Sequence, residues 1–592
     1  MAKAMENGSR VFGWEDYTVF AAMLVVSALI GLYHGCRFGL KRKKKKDEPE
    51  SGSPSDFLTG GGQMSVIPVA LSMLASFLSS ITLMGQPVEV YLYGPQMWLM
   101  GLASFVVVPV IGYIFVPFFR KMKVTSAYEY YGKRFNRKFQ LFASSIFTVQ
   151  MLLYLALVLY APALALHQVT GINTEVVVVV MYVVCIFYTT VGGIKAVVWT
   201  DSFQIIVMYT AIVAVLIKGT FDVGGLDVVW SRNKDASRDV LFDFDFDPTR
   251  RYTFWSVFIG SAFLHFSVFG SNQLQIQRYL SVQSISAARK MLWINAFGWA
   301  LVSVLTAYTG MLIFAKYFDC DPITNKDIKS PDQLFPLYVM DVLGEYKGFP
   351  GLFVAGIFSA GLSTVSTGMN SLAAIWYAEL EGTQFKSNLS SKKAGLTVKA
   401  LALIFGLSSF AMVFLVPFMG PLVAIAISLS GFFSGSLLGV FLLGIYVPFA
   451  NAMGAFVGLV SGIGIVGWMT IGVQVSIEKG YYVYETLPLS TAGCPVANET
   501  FSALIQSSDQ ELALLPYRIS FLWYSFLAIL ITFVVGVVVS LLSRLICSSS
   551  PHTVLFKPTQ GYQGTAYAIG KENKSNVKCD SATIGVWVSE KL

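Results

Sequence analysis

The feature that most constrains this chain is the recurrence, along nearly its whole length, of apolar runs of about 18 or more residues. At 1.5 Å per residue each run is long enough as a helix to cross about 30 Å of hydrocarbon. Lipid offers no partner to a backbone N–H or C=O, and the runs are far too long for barrel strands, so the fold class is an all-α membrane protein. Composition agrees: of 592 residues, 55% are hydrophobic and 13% charged, where a soluble domain carries about 25% charged residues.

Apolar windows between polar breaks predict about thirteen transmembrane helices, at roughly 15–36, 65–91, 98–119, 138–166, 175–192, 200–218, 253–272, 291–316, 349–379, 398–418, 420–447, 452–473 and 517–545. The net charge of +8 does not point to nucleic acid, because Lys and Arg sit in short loops between spans. The runs RKKKK, RKMK, KRFNRK, ARK and SKK fall in alternate loops, which the positive-inside rule places in the cytosol, with the N-terminus outside and the C-terminus inside. The opposite loops are acidic (DFDFD, DCDPITNKD). One of them holds the sequon Asn498-Glu499-Thr500, a candidate glycosylation site, while those at Asn388 and Asn573 would be cytosolic and silent. Asn7 is left open. Cys320 and Cys494 both fall in the outer loops, where an oxidising compartment permits a bridge between them. A polar, Ser/Lys-rich segment, 546–592, reads as a flexible cytosolic tail behind a membrane domain of residues 1–545.

Two spans are too polar for lipid contact alone. The run LASFLSSITLMGQPVEVYLYG carries Ser76, Ser79, Ser80 and Thr82, then Gly85, Pro87 and Glu89. In FSAGLSTVSTGMNSLAAIW, Ser359, Ser363, Ser366 and Asn370 recur every three or four residues and so share one helix face. Small hydroxyl residues also let membrane helices pack closely. Gly85 and Pro87 argue for more: they are expected to break the helix and free carbonyl oxygens, and unwinding inside a membrane is tolerated where it lines a cavity or a ligand. Carbonyls and hydroxyls with no carboxylate among the nearest groups make a neutral oxygen cage suited to a hard monovalent cation, with sodium the natural occupant. In FYTTVGGIKAVVWTDSFQ, Gly192-Gly193 should end one helix and Thr200-Asp201 open the next, with Asp201 as N-cap at the cytosolic entrance, where its charge could guide a departing cation.

These runs, with NQLQIQRYLS (Asn272 to Ser281) and SLSGFFSGSLLGVFLLG, resemble the sodium/solute symporter family over roughly residues 10 to 545, in particular the branch of sodium-coupled monocarboxylate, multivitamin and iodide transporters. The resemblance implies a LeuT-like 5+5 inverted repeat, with core repeats at about 65–218 and 253–447. It implies a sodium (Na+) site made by the carbonyls of Ala75, Leu78 and Ala360 and the hydroxyls of Ser363 and Thr364. Near the break it places an organic solute, with Phe77, Ser79, Thr82, Gln86, Trp255 and His265 as candidate contacts. His265 also reads as an ordinary packing residue. At the Thr82 position the iodide branch carries Gln and the monocarboxylate branch Thr, which weighs against iodide. No buried Arg or Lys stands out as a carboxylate clamp, so an anion would be held by hydroxyls, helix N-termini and the sodium ion.

The function expected is sodium-coupled symport, by alternating access across the plasma membrane, of a small organic anion such as lactate or a short-chain fatty acid. Biotin or pantothenate and iodide are the alternatives within the branch; an uncoupled uniporter or channel, or a nutrient sensor, are those of another class. No Walker-type phosphate loop is present and four histidines show no metal spacing, which argues against an enzyme.

Overall fold

The computed structural model describes residues 12–44, 58, 60–122, 124, 126–380, 391–494 and 513–548. Asn498, Asn388, Asn573, Asn7 and the tail beyond 548 lie outside them. Among the described residues the structure is helical, with one isolated bridge between Met64 and Val282 as its only β pairing.

The chain runs α1 Trp14–Lys44, α2 Val66–Phe77, α3 Ser80–Tyr93, α4 Leu99–Val110, α5 Arg137–Thr170, α6 Thr174–Val223, α7 Leu226–Asp235, α8 Ser261–Ser271, α9 Gln273–Ser281, α10 Ile285–Lys316, α11 Leu334–Leu343, α12 Phe349–Glu379, α13 Ser391–Met412, α14 Leu422–Leu429, α15 Gly435–Tyr446, α16 Ala452–Glu478 and α17 Tyr524–Ser548. Among the described residues ten helical segments are long and apolar enough to cross a membrane, and α2 with α3 forms a further one bent by 54°. Polar caps set several starts: Asn136 accepts from the Phe139 amide at 2.8 Å, and Ser284 from Ala287 at 3.1 Å.

The expected loop between spans 175–192 and 200–218 is absent. Helix α6 is 50 residues long and departs from helical geometry at Gly193 alone (φ +60, ψ −160). That backbone favours glycine. Fifty residues would measure about 75 Å if straight, and the kink at Gly193 divides α6 into two helices.

Helix α12 is the hub, packed against α1, α2, α5, α6 and α13. Every residue from Phe353 to Ile375 is buried, the hydroxyl stripe included. At the periphery the relation inverts: Met453, Phe456 and Val460 of α16 face outward, as lipid contact requires. At one end of the bundle Cys320 and Cys494 are joined by a disulfide. It ties the segment after α10 to the segment after α16, where the Asp321 amide also donates to Ser490 O at 2.8 Å. The Leu487 amide reaches Leu92 O at 2.8 Å, so this strap crosses the end of α3.

Candidate functional site

The break in the second span falls at Leu78 and Ser79 (ψ 84 and 161), not at Gly85 and Pro87. Helix α3 continues through both of those residues. Pro87 lacks an N–H, and a helix within a packed bundle tolerates one missing bond. Gly85 is required by packing, since a Cβ there would lie 2.1 Å from Val423 Cγ2 of α14.

Backbone bonding at the break shows which carbonyls are released. In a continuous helix the Ser79 amide would donate to Ala75 O and the Thr82 amide to Leu78 O. Instead Ser79 N donates to Phe77 O at 3.0 Å, and Thr82 N to the Ser79 hydroxyl at 3.3 Å. Ser79 is thus the N-cap of α3, and the Ala75 and Leu78 carbonyls are turned free of their helical donors. The middle of α12 faces this break. Ser76 Oγ lies 3.5 Å from Ser363 Oγ and 2.9 Å from Thr367 Oγ1, and Thr364 Oγ1 donates to Ser76 O at 3.3 Å and to Ala360 O at 3.0 Å. The structure therefore brings α2 and α12 together, with Ser76 meeting Ser363, Thr364 and Thr367.

Charge is closer than a neutral cage allows. Asp201 is fully buried within α6, eight residues past Gly193, and caps no helix. Its carboxylate accepts from Ser72 Oγ at 2.5 Å, Ser76 Oγ at 3.4 Å and Thr367 Oγ1 at 3.5 Å. It pairs with Arg278 of α9 at 3.3 Å, the two side chains being 0% and 3% exposed. Arg278 also donates to Ser76 Oγ at 2.5 Å and Thr367 Oγ1 at 2.9 Å. The motif NQLQIQRYLS contained this buried cation. What the sequence could not supply was its partner, 77 positions away.

Beside the break lies a cavity of about 100 Å3 lined by Phe77, Ser79, Thr82, Gln86 and His265, five of the six residues expected at the solute. Trp255 is elsewhere: its indole donates to Phe244 O at 3.2 Å and stacks on Phe246 at 4.7 Å, at the disulfide end. The physical reason is the π-helical turn Trp255–Gly260, which starts the span close to the preceding acidic loop, so its first aromatic packs on that loop. Sequence reasoning missed Gln150, Trp299 and Gln275, which also line the cavity. Phe77 sits at the centre of the apolar wall, 4.5 Å from the Trp299 ring and 5.6 Å from His265. Its lining contains no Lys or Arg. Several buried polar atoms there have no protein partner: both nitrogens of His265, Trp299 Nε1, Gln150 Oε1 and Gln275 Oε1. Gln86 is oriented by Thr306, which donates to its Oε1 at 2.8 Å, leaving its amide hydrogens only the Met100 sulfur at 3.6 Å. Buried polar atoms are normally paired, so this set marks where a polar ligand belongs.

One turn further along α3, Glu89 receives Arg251 at 2.7, 3.0 and 3.1 Å and the Tyr252 hydroxyl at 2.6 Å. The Arg251 guanidinium lies over the rings of Tyr93 (4.3 Å) and Tyr484 (4.2 Å). The cavity is thus flanked along the broken span by two buried ion pairs.

A helical membrane bundle with an interrupted span, released carbonyls and a cavity carrying unpartnered polar atoms fits an ion-coupled transporter. Residues 57–462 match the Sodium:solute symporter family, and the chain belongs to that family. It is 39% identical over 543 residues to sodium-coupled monocarboxylate transporter 1 of Homo sapiens, covering 89% of this chain and 87% of that one. Sodium-coupled monocarboxylate transporter 2 of Danio rerio is 39% identical (89% and 84% covered), and a putative sodium-dependent multivitamin transporter of Drosophila melanogaster 38% (90% and 87%). Among solved structures, a Na+-coupled sialic acid symporter in a substrate-bound outward-open state superposes with a TM-score of 0.69 over 90% of this chain and 98% of that one, at 24% identity. The fold is LeuT-like.

Proposed function

We propose that the chain is a plasma-membrane symporter that uses sodium entry to drive uptake of a small monocarboxylate, with Ala75, Leu78, Ala360, Ser363 and Thr364 as the sodium ligands. The observation that carries this reading is the break at Leu78–Ser79, which releases the Ala75 and Leu78 carbonyls, next to the contact of Ser363 and Thr364 with Ser76. Sodium bridging them would fix the break against α12 and shape the neighbouring cavity, so ion and solute bind cooperatively.

The solute class follows from the cavity. Its walls are apolar and aromatic, and its free donors (Trp299 Nε1–H, the imidazole N–H of His265, the Gln86 amide) are neutral. Such donors suit one carboxylate in a water-poor site. The monocarboxylate relatives support the same choice. Orientation follows the basic loops, with the disulfide end outside, the tail from 546 in the cytosol, and a monomer or dimer as the assembly. One sodium ion entering with a monocarboxylate anion carries no net charge, so the sodium gradient alone drives the step, about 1.4 kcal/mol for a roughly tenfold gradient and about tenfold accumulation.

The test is uptake of labelled solute by cells expressing the full chain, with lactate, butyrate, biotin, pantothenate and iodide supplied in sodium or choline. Uptake of lactate or butyrate, in sodium only, is expected. It should vanish in Ser363→Ala/Thr364→Ala at equal surface expression. Flux indifferent to choline, or unaltered in the double variant, would overturn the reading.

A further inference from the structure

A second cavity opens at the disulfide end of the bundle, between the strap that crosses α3 and the acidic loop before the π-helical turn. Val483, Glu485 and Thr486 of the strap are exposed at its rim, so it faces water. Arg251 lines it. Its ion-pair partner Glu89 lies three residues beyond Gln86 on the same face of α3, and Gln86 lines the solute cavity. The Glu89–Arg251 pair therefore stands between the two cavities.

Arg238, Arg250, Arg251 and Arg518 all line this outer cavity. Two of them are answered by carboxylates: Arg250 pairs with Asp243 at 3.0 Å and Asp245 at 2.9 Å, and Arg251 with Glu89 at 2.7 Å. The other two are not. Arg238 is 2% exposed; its guanidinium donates to the carbonyls of Tyr91 and Pro488 and lies 4.0 Å over the Phe314 ring, while its Nε has no partner. Asp321 is close to it, but the oxygens of that carboxylate are taken by the Tyr91 hydroxyl, the Ile323 and Thr324 amides and the Thr324 hydroxyl. Arg518, at the end of the short helix Leu515–Arg518, has a shielded Nε and makes no hydrogen bond or ion pair among the described residues. Of the other carboxylates on the lining, Asp247 accepts from the Thr249 amide and hydroxyl at 2.8 and 2.7 Å, and Glu485 is exposed at the rim. A shielded cation without a counter-charge is costly, and two of them on one cavity call for an anion.

We propose that the outer cavity is a binding site for a small organic carboxylate, held by Arg238 and Arg518 with its apolar part against Tyr482 and Tyr484, whose rings meet at 4.9 Å. Naming the anion as a monocarboxylate rests on the function proposed above. A guanidinium presents paired N–H groups that match the two oxygens of a carboxylate, and the phenol rings offer an alkyl chain a contact that a halide cannot use. Cations at the mouth draw an anion out of water, whereas the solute cavity, with neutral donors only, holds it loosely enough to release it. In the outer cavity the anion sits beside Arg251, where its charge competes with Glu89 for the same guanidinium and loosens the pair that separates the two cavities.

The experiment is saturation-transfer NMR of butyrate titrated against the purified full chain in detergent, in sodium-free, low-chloride choline buffer. Butyrate is expected to bind saturably, and butyramide, of the same shape without the charge, at least about tenfold more weakly. Arg518→Gln, at a half-buried residue with no hydrogen bond to lose, should weaken butyrate about tenfold and leave the thermal unfolding midpoint unchanged. Arg238→Gln should weaken it as much; should that variant fail to fold, Arg518→Gln decides alone. Ser363→Ala/Thr364→Ala should keep the sodium-free binding, so failure of the proposed sodium site is read separately from failure of this one. Loss of binding in that double variant would place the butyrate in the solute cavity and overturn the proposal. So would the absence of saturable butyrate binding, equal binding of butyramide, or wild-type affinity in Arg518→Gln. Displacement of butyrate by an equal concentration of chloride would make the site one for inorganic anions and would overturn it too.

Discussion

The ion pairs on either side of the cavity are built differently. Asp201–Arg278 joins two membrane helices, and its side chains are 0% and 3% exposed. Around it stand only hydroxyls: Ser72, Ser76 and Thr367. Glu89–Arg251 joins a helix end to a loop at 8% and 9% exposure, and its cation is held by aromatic faces as well as by charge. The first pair has no substitute partner nearby when one member is lost. The second retains rings and a tyrosine hydroxyl. A charge deep in the bundle therefore depends on its counter-charge, whereas one at the rim is distributed over several weaker contacts.

The variants that test this contrast fall in a definite order. Asp201→Asn leaves Arg278 buried and unpaired, and about 3–5 kcal/mol of stability should be lost. The thermal unfolding midpoint of the purified protein reads this, and Asp201→Asn/Arg278→Gln should recover part of it. Glu89→Gln should cost about 2 kcal/mol, because the Gln amide still accepts and the aromatic contacts persist. A loss equal to that of Asp201→Asn would break the comparison.

Gly85→Ala should cost about 1–3 kcal/mol through its clash with Val423 and be relieved by Val423→Ala. Pro87→Ala should alter stability by less than about 1 kcal/mol, since α3 already passes through it. If Pro87→Ala abolished sodium dependence while Gly85→Ala did not, the position of the break would need revising.

The smallest effect is expected at Asp332, in the turn Pro331–Gln333 before α11. Burial, with the Glu89 charge adding to it, raises its pKa to about 6. A folded-state pKa above the unfolded one contributes stability that is full below the unfolded value and lost as pH rises through about 6. Asp332→Asn should therefore flatten the change in unfolding midpoint between about pH 5 and pH 7.

Much of this protein was legible in single segments. Apolar length specified the helices and the membrane, because no other backbone arrangement satisfies itself in lipid. The serine spacing of 359, 363 and 366 defined a polar face before any neighbour was known. Ser363 and Thr364 did meet the interrupted span, at Ser76.

Other features depended on what lay across the bundle. Gly85 and Pro87 looked like the breaking point, but Val423 explains the glycine and α3 absorbs the proline. The actual break at Leu78–Ser79 has no glycine or proline to announce it. It is held by a serine cap on one side and by α12 on the other. Asp201 had the appearance of a helix cap because its partner Arg278 is far away in sequence. Trp255 seemed a solute contact until its loop was placed.

The chain alone therefore determined which segments are helices, which faces are polar and which solvent surrounds them, since these depend on local periodicity and on transfer of side chains between water and lipid. Tertiary structure decided where the helix opens, which charges are neutralised and which polar atoms stay unpaired around the cavity. Each of these is a relation between groups distant in sequence, fixed only when the bundle packs.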